Sequence, residues 1–139
     1  MKVFVLDASV ALAWLVDRAP APLAMRVRQR LEQGTRAIVP ALWQWDIANA
    51  FVVAERRGTL TFSDTAEILR KFELTLGELI EIKAERVSPE RIIATAREYH
   101  LTAYDAAYLS LARREKLPIA TLDRALADAA TRAGIHVLQ

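Results

Sequence analysis

Residues 2–9 read KVFVLDAS, in which four consecutive apolar residues at positions 3–6 are followed at once by Asp7. An unbroken apolar run of this length is typical of a parallel β-strand that is buried on both faces. Residues 8–16 favour a helix, so Asp7 would lie at the junction between strand and helix. In open α/β sheets, ligands bind just outside the carboxyl ends of the strands. Asp7 is therefore a candidate metal ligand if other acids meet it there, and otherwise a cap of the helix.

The remainder of the chain alternates between helical and extended patterns, with Gly34, Gly58 and Gly134 as helix stops. Further helices are predicted over residues 22–33, 41–57, from Thr61 or Ser63 to about Leu76, from Pro89 to near His100, over 103–116 and from Asp123 to Gly134. Further strands are predicted over residues 37–39, 79–82, 118–121 and 135–138. Strands separated by helices require parallel crossovers, which predicts a layered α/β sandwich.

Length and composition predict one domain over residues 1–139, with a mass of 15.6 kDa. Cysteine is absent and the start has no secretory pattern, so we expect a cytoplasmic protein. No apolar stretch approaches the length of about 20 residues that spans a bilayer, and no membrane association is expected.

Three further aspartates occupy places that resemble the place of Asp7. Asp46 lies among apolar residues of the helix after the second strand, where a short acid is a poor helix former and burial is costly unless it is paired. Asn49 follows on the same helical face. Asp105 and Asp123 stand at helix starts, where Asp105 fits a capping box with Thr102 and Asp123 fits an N-cap. Taken singly, each acid has an ordinary structural explanation.

Taken together, the four acids favour a site for a hard divalent cation, because carboxylates that meet at one sheet edge repel each other unless they are neutralised. Mg²⁺ and Mn²⁺ accept carboxylate and water oxygens and share phosphate readily. There is no cysteine nucleophile and no glycine-rich phosphate loop, while His100 and His136 lack metal-ligand spacing. The natural chemistry is hydrolysis of a phosphodiester by a metal-activated water. The net charge of +2 is consistent with a polyanionic substrate, since the chain apart from these acids is more strongly basic.

The chain resembles PIN-domain ribonucleases of the VapC toxin type. The resemblance rests on the stretches VLDASVALAW, PALWQWDIANA, LTAYDAAYLSLA and IATLDRALADAA, which together run through nearly the whole sequence. It implies a three-layer α/β/α sandwich with about five parallel strands, Mg²⁺- or Mn²⁺-dependent cleavage of RNA, a homodimer, and a cognate VapB-like antitoxin whose tail blocks the site. By position, Asp7 and Asp105 match the principal metal ligands of the family and Asp46 and Asp123 complete the catalytic acidic set. Supporting polar positions are matched by Ser9, Asn49 and Thr121.

One position departs from the family pattern. The family usually has glutamate where this chain has Asp46, whose carboxylate is one methylene shorter. The alternative function is therefore a PIN-fold protein that binds antitoxin or RNA with weak or no nuclease activity. A phosphoacceptor signalling domain is a more remote alternative, disfavoured because Asp7 lacks an acidic neighbour at the strand end.

Overall fold

The computed structural model describes residues 2–84 and 86–139, and a four-stranded parallel sheet lies at the centre of these residues. The strands are β1 (Val3–Leu6), β2 (Arg36–Pro40), β3 (Ile80–Lys83) and β4 (Ile119–Ala120), in the spatial order β3-β2-β1-β4. All pairings are parallel, with Val5 opposite Ile38 on one side and Ile119 on the other. The predicted α/β class and parallel sheet are confirmed.

Seven α-helices in the described residues surround the sheet: α1 (Ala8–Val16), α2 (Pro22–Glu32), α3 (Leu42–Arg56), α4 (Phe62–Leu76), α5 (Pro89–Tyr99), α6 (Ala103–Glu115) and α7 (Arg124–Arg132). Helix α1 contacts α2, α3 and α4, whereas α6 packs on β1 and β2 with α5 and α7 beside it. This arrangement gives the three layers of the sandwich. Most helix bounds agree with the prediction to within one or two residues. None of these helices is both long and apolar enough to cross a bilayer.

The expected fifth strand is replaced by a single bridge. Residues 135–138 were predicted to form a strand, but only Val137 makes a parallel bridge, opposite Ile119. Two backbone hydrogen bonds hold the segment: the Ile119 amide donates to His136, and the Leu138 amide donates to Ile119. Because β4 itself is only two residues long, it offers no longer ladder to pair with. The resemblance to a sheet of about five strands therefore overstates the regular part of the sheet by one strand.

The core explains why the first strand is so apolar. Phe4, Val5 and Leu6 have no solvent-accessible surface, because helices cover both faces of β1. Leu109 of α6 is also completely buried, and full burial of such a side chain contributes about 1.5–3 kcal/mol. The sheet edge at the carboxyl ends of β1 and β4 is thus held by a rigid apolar support.

Candidate active site

The centre of the candidate site is the Asp7 carboxylate, which is 5% exposed. Asp7 directly follows β1, and its backbone N–H donates to the Ala120 carbonyl at the end of β4 over 2.9 Å. Its side chain makes no capping hydrogen bond to α1, so the interpretation of Asp7 as a helix cap is not supported. The carboxylate is instead turned toward other side chains.

Two hydroxyl groups hold the same oxygen of Asp7. The Ser9 hydroxyl donates to Asp7 Oδ2 over 2.6 Å, and the Thr121 hydroxyl donates to it over 2.7 Å. Ser9 Oγ in turn accepts from the Leu122 amide at 3.0 Å, and Thr121 Oγ1 accepts from the Asp123 amide at 3.0 Å. The network joins the start of α1 to the segment between β4 and α7, and it leaves Asp7 Oδ1 without a hydrogen bond from the described residues. Ser9 and Thr121 therefore lie together on Asp7.

Asp123 combines a structural role with a place at the site. Its Oδ1 accepts from the Leu126 amide at 2.9 Å, so it is the N-cap of α7. Its charge nevertheless contributes to raising the pKa of both Asp7 and Asp105. The ordinary explanation is correct for this residue, and it does not exclude proximity to the other acids.

Asp105 differs from a capping-box acid. Thr102 caps α6 by accepting from the Asp105 amide at 3.1 Å, but the reciprocal bond from the Thr102 amide to the Asp105 carboxylate is absent among the described residues. Partial burial, followed by the charges of Asp123, Asp7 and Asp46, raises the pKa of Asp105 to about 6. A carboxylate that feels three like charges without a hydrogen-bonded cation is available to a ligand.

Asp46 is held by a residue that the sequence did not single out. The Tyr108 hydroxyl of α6 donates to Asp46 Oδ2 of α3 over 2.9 Å. Burial raises the pKa of Asp46, and this hydrogen bond opposes the rise. Burial and the charges of Asp46 and Asp7 also raise the pKa of Tyr108, so the phenol remains a donor. The spacing of Tyr108 three residues after Asp105 was the available signal, since it places both on neighbouring positions of one helix face.

Asn49 is not part of this arrangement. Its exposed side chain lines a separate cleft beside Val16, Arg18 and Leu60. Within the part of the chain that is described, Asn49 makes no hydrogen bond to any of the four aspartates. Its supporting role stays a prediction without a contact behind it.

The four aspartates are electrostatically coupled, but they do not form a ready-made metal cage. No three acidic or histidine side chains in residues 2–84 and 86–139 are grouped closely enough to hold a metal ion by themselves. Mg²⁺ commonly keeps several waters and binds through only one or two carboxylates together with substrate phosphate. Buried carboxylates that raise the pKa values of one another fit that kind of hydrated cation.

Comparison with known proteins identifies the family of the chain. The model of the PIN domain family matches residues 4–131, and the chain therefore belongs to the PIN domain family. PIN domains are generally metal-dependent nucleases, which supports the nuclease class. No curated protein sequence matches significantly.

Solved structures share the fold at low sequence identity. PAE2754 from Pyrobaculum aerophilum has a TM-score of 0.68 and 23% identity, covering 93% of this chain and 86% of that one. FitAcB from Neisseria gonorrhoeae has a TM-score of 0.64 and 14% identity, covering 99% and 96%. A toxin-antitoxin complex from Klebsiella pneumoniae has a TM-score of 0.60 and 19% identity, covering 98% and 96%. These similarities establish the fold.

The raised pKa of Asp105 predicts a pH-dependent cost in stability. The folded protein binds this proton with a pKa of about 6, against an ordinary pKa of 3.8 for an aspartate. The contribution of the neutral carboxyl to the free energy of unfolding is therefore fully present below about pH 4. It is lost as the pH rises through about 6. Asp105→Asn stays neutral, so in EDTA near pH 7.5 we expect it to be more stable than wild type by about 1 kcal/mol after discounting for solvent screening, or about 3–6 °C in Tm.

Thermal unfolding followed by circular dichroism measures this difference. The two proteins should have similar Tm values near pH 4, and Asp128→Asn, an exposed change on α7, should be neutral at both pH values. A difference for Asp105→Asn that is absent, or that is equal at both pH values, would contradict the electrostatic explanation.

The contact between Tyr108 and Asp46 predicts a second change. Tyr108→Phe keeps the packed ring but removes the hydroxyl that stabilises the ionised carboxylate, so the pKa of Asp46 should rise further. Carbon-13 NMR titration of the Asp46 carboxyl measures the shift. Tyr104→Phe, which alters an exposed ring on the same helix, is the matched control. An unchanged titration midpoint in Tyr108→Phe would rule out the contact.

Proposed function

We propose that the protein is a metal-dependent endoribonuclease of the VapC type that acts in the cytoplasm as the toxin of a toxin-antitoxin pair. The observation that carries the proposal is the convergence of four aspartates from different elements, with the most buried one, Asp7, anchored by two hydroxyl groups. Membership of the PIN domain family supports the same chemistry.

In this proposal, Asp7 and Asp105 are the principal ligands of Mg²⁺ or Mn²⁺, and Asp46 and Asp123 complete the acidic set. Ser9 and Thr121 occupy one oxygen of Asp7, which fixes the carboxylate and leaves its other oxygen without a hydrogen bond from the described residues. Tyr108 similarly fixes the shorter Asp46 side chain. When bound, the cation would supply Lewis-acid stabilisation and a water of lowered pKa. The chain contributes the positions of the carboxylates and a sheet edge backed by the buried apolar residues of β1 and β4.

The partners in the proposal are an RNA substrate, a VapB-like antitoxin and a second copy of this chain. A structural neighbour from Klebsiella pneumoniae is a toxin-antitoxin complex. Large apolar side chains are exposed on α3 and α4, notably Trp45 at 76% and Phe62 at 82%. Apolar surface of this kind on a small domain supports contact with another protein.

A second candidate function is a PIN-fold protein that binds antitoxin or RNA with weak or no cleavage. It is favoured by the shorter Asp46 and by the absence of a three-ligand cage among the described residues. Asp46→Glu separates the two functions in a cleavage assay. A large gain in activity would show that the native site is impaired, whereas an unchanged or reduced rate would favour an active site adapted to aspartate.

Cleavage of a labelled mixed RNA pool tests the proposed function. We expect cleavage with Mg²⁺ or Mn²⁺, none in EDTA, and a loss of about 100-fold or more in Asp7→Asn and Asp105→Asn, because loss of a ligand should cost at least as much as loss of an outer-sphere partner. Asp128→Asn preserves the change in charge outside the site and should cleave normally. Equal inertness of wild type and variants on RNA, with no metal binding by calorimetry, would overturn the proposal.

A further inference from the structure

A basic cleft opens beside the acidic site. The cleft between α5 and α6, here called the α5–α6 cleft, has a volume of about 650 Å³ and is also lined by residues 40–42, where β2 passes into α3. Five cationic side chains line it: Lys83, Arg86, Arg91, Arg113 and Arg114. The described lining residues include no aspartate or glutamate. The cleft is therefore positively charged, whereas the neighbouring site is negatively charged.

Two of these positive charges are not neutralised by any described residue. Lys83 Nζ lies 3.4 Å from Glu81 Oε1. The Arg113 guanidinium lies over the Tyr99 ring, 5.6 Å from the ring centroid. Arg86 and Arg91, by contrast, form no ion pair or hydrogen bond with any other described residue, and both are exposed. Charges presented in this way favour an anionic ligand.

The beginning of α5 adds a backbone contribution. Ser88 is the N-cap of α5 and lines the cleft, yet its side chain makes no capping hydrogen bond. The first amides of this 11-residue helix carry the positive end of the helix dipole. Pro89 has no N–H and Glu90 places a carboxylate in the first turn, so the amides that can contribute are those of Glu90 and Arg91, next to the arginine side chains that suit phosphate oxygens.

The cleft and the acids share one edge of the sheet. Along α6, Ala107 and Ser110 line the cleft but follow Asp105 by two and five residues, which places them on a different side of the helix from it. Along α3, Leu42 lines the cleft and Asp46 follows one turn later. The cleft is lined by Pro40 and Lys83 at the carboxyl ends of β2 and β3, and Asp7 lies at the carboxyl ends of β1 and β4, so both occupy the same edge of the sheet.

We propose that the α5–α6 cleft binds the backbone phosphates of single-stranded RNA next to the bond that is cleaved. This inference rests on the proposed function and assigns the path of its substrate. The described lining residues include no aromatic side chain on which bases could stack. Binding in the cleft therefore depends on phosphate contacts and has little base preference, so sequence choice must arise elsewhere.

Binding of a short fluorescein-labelled RNA to the Asp7→Asn protein, measured by fluorescence anisotropy, tests the proposal without cleavage. In that background, Arg86→Gln/Arg91→Gln should weaken binding about 10-fold or more at low salt. The log–log salt slope should fall by about 1.4 in magnitude, because each phosphate contact to a single strand contributes about 0.7. The loss should be similar for poly-U and poly-A.

The matched control is Arg26→Gln/Arg70→Gln, which removes the same charge from exposed positions on α2 and α4. It should lower the affinity and the slope far less than the cleft variant. Equal effects of the two double variants, or no RNA binding by any protein, would overturn the cleft proposal. Circular dichroism confirms that both variants are folded.

The same proteins separate failure of the cleft from failure of the proposed function. If the protein with native Asp7 cleaves RNA but the cleft variant binds as the control does, the nuclease stands and the cleft proposal falls. If RNA binding requires the cleft and no cleavage occurs with any metal, the cleft proposal stands and the nuclease falls. If the cleft variant loses binding of a poly-glutamate peptide and retains RNA binding, the cleft is a site for an acidic protein segment and the RNA proposal is wrong.

Discussion

The structure depends on keeping the Asp7 carboxylate at the buried end of β1. Burial opposes the ionised form of this residue, and neighbouring acids raise its pKa further. The hydroxyl groups of Ser9 and Thr121 offset part of this cost by donating to one oxygen. Because those hydroxyls come from the start of α1 and the end of β4, the same bonds that hold the carboxylate also fix the two elements at the sheet edge.

The acids around this carboxylate are not neutralised by any ion pair between described residues. Asp105 is coupled to three other carboxylates, Asp123 caps α7, and Tyr108 ties Asp46 to α6. An arrangement that raises the pKa values of its own side chains is unfavourable for the isolated protein, and a bound cation would relieve it. The basic cleft beside the acids has the opposite charge and can attract a polyanion. Two adjacent parts of the sheet edge would therefore serve different ends, the cleft for the substrate and the acids for the cation.

Much of the fold was predictable because its signals are local. The apolar run before Asp7, the glycine stops and Pro89 define elements through periodicity and capping, and Gly34, Gly58 and Gly134 all have positive φ. The final strand was overestimated because the length of a ladder depends on its partner, and β4 is too short. The site was less predictable, because Asp105 and Asp123 both stand in sequence patterns typical of helix starts. Such a pattern looks the same whether the aspartate only caps a helix or also belongs to a functional site. Tyr108 and the α5–α6 cleft depend on contacts between distant segments, which a single sequence does not reveal.

The central claim is that these carboxylates form a site for a hard divalent cation, and proton-linked calorimetry tests it most directly. Titration of Mn²⁺ or Mg²⁺ near pH 6, in two buffers of different ionisation enthalpy, reports both binding and the protons released on binding. Since the pKa of Asp105 is raised to about 6, binding should release protons in the wild type. Release should diminish at pH 8, and binding should be lost in Asp7→Asn. Absence of metal binding in the wild type, or equal binding by Asp7→Asn, would contradict the account.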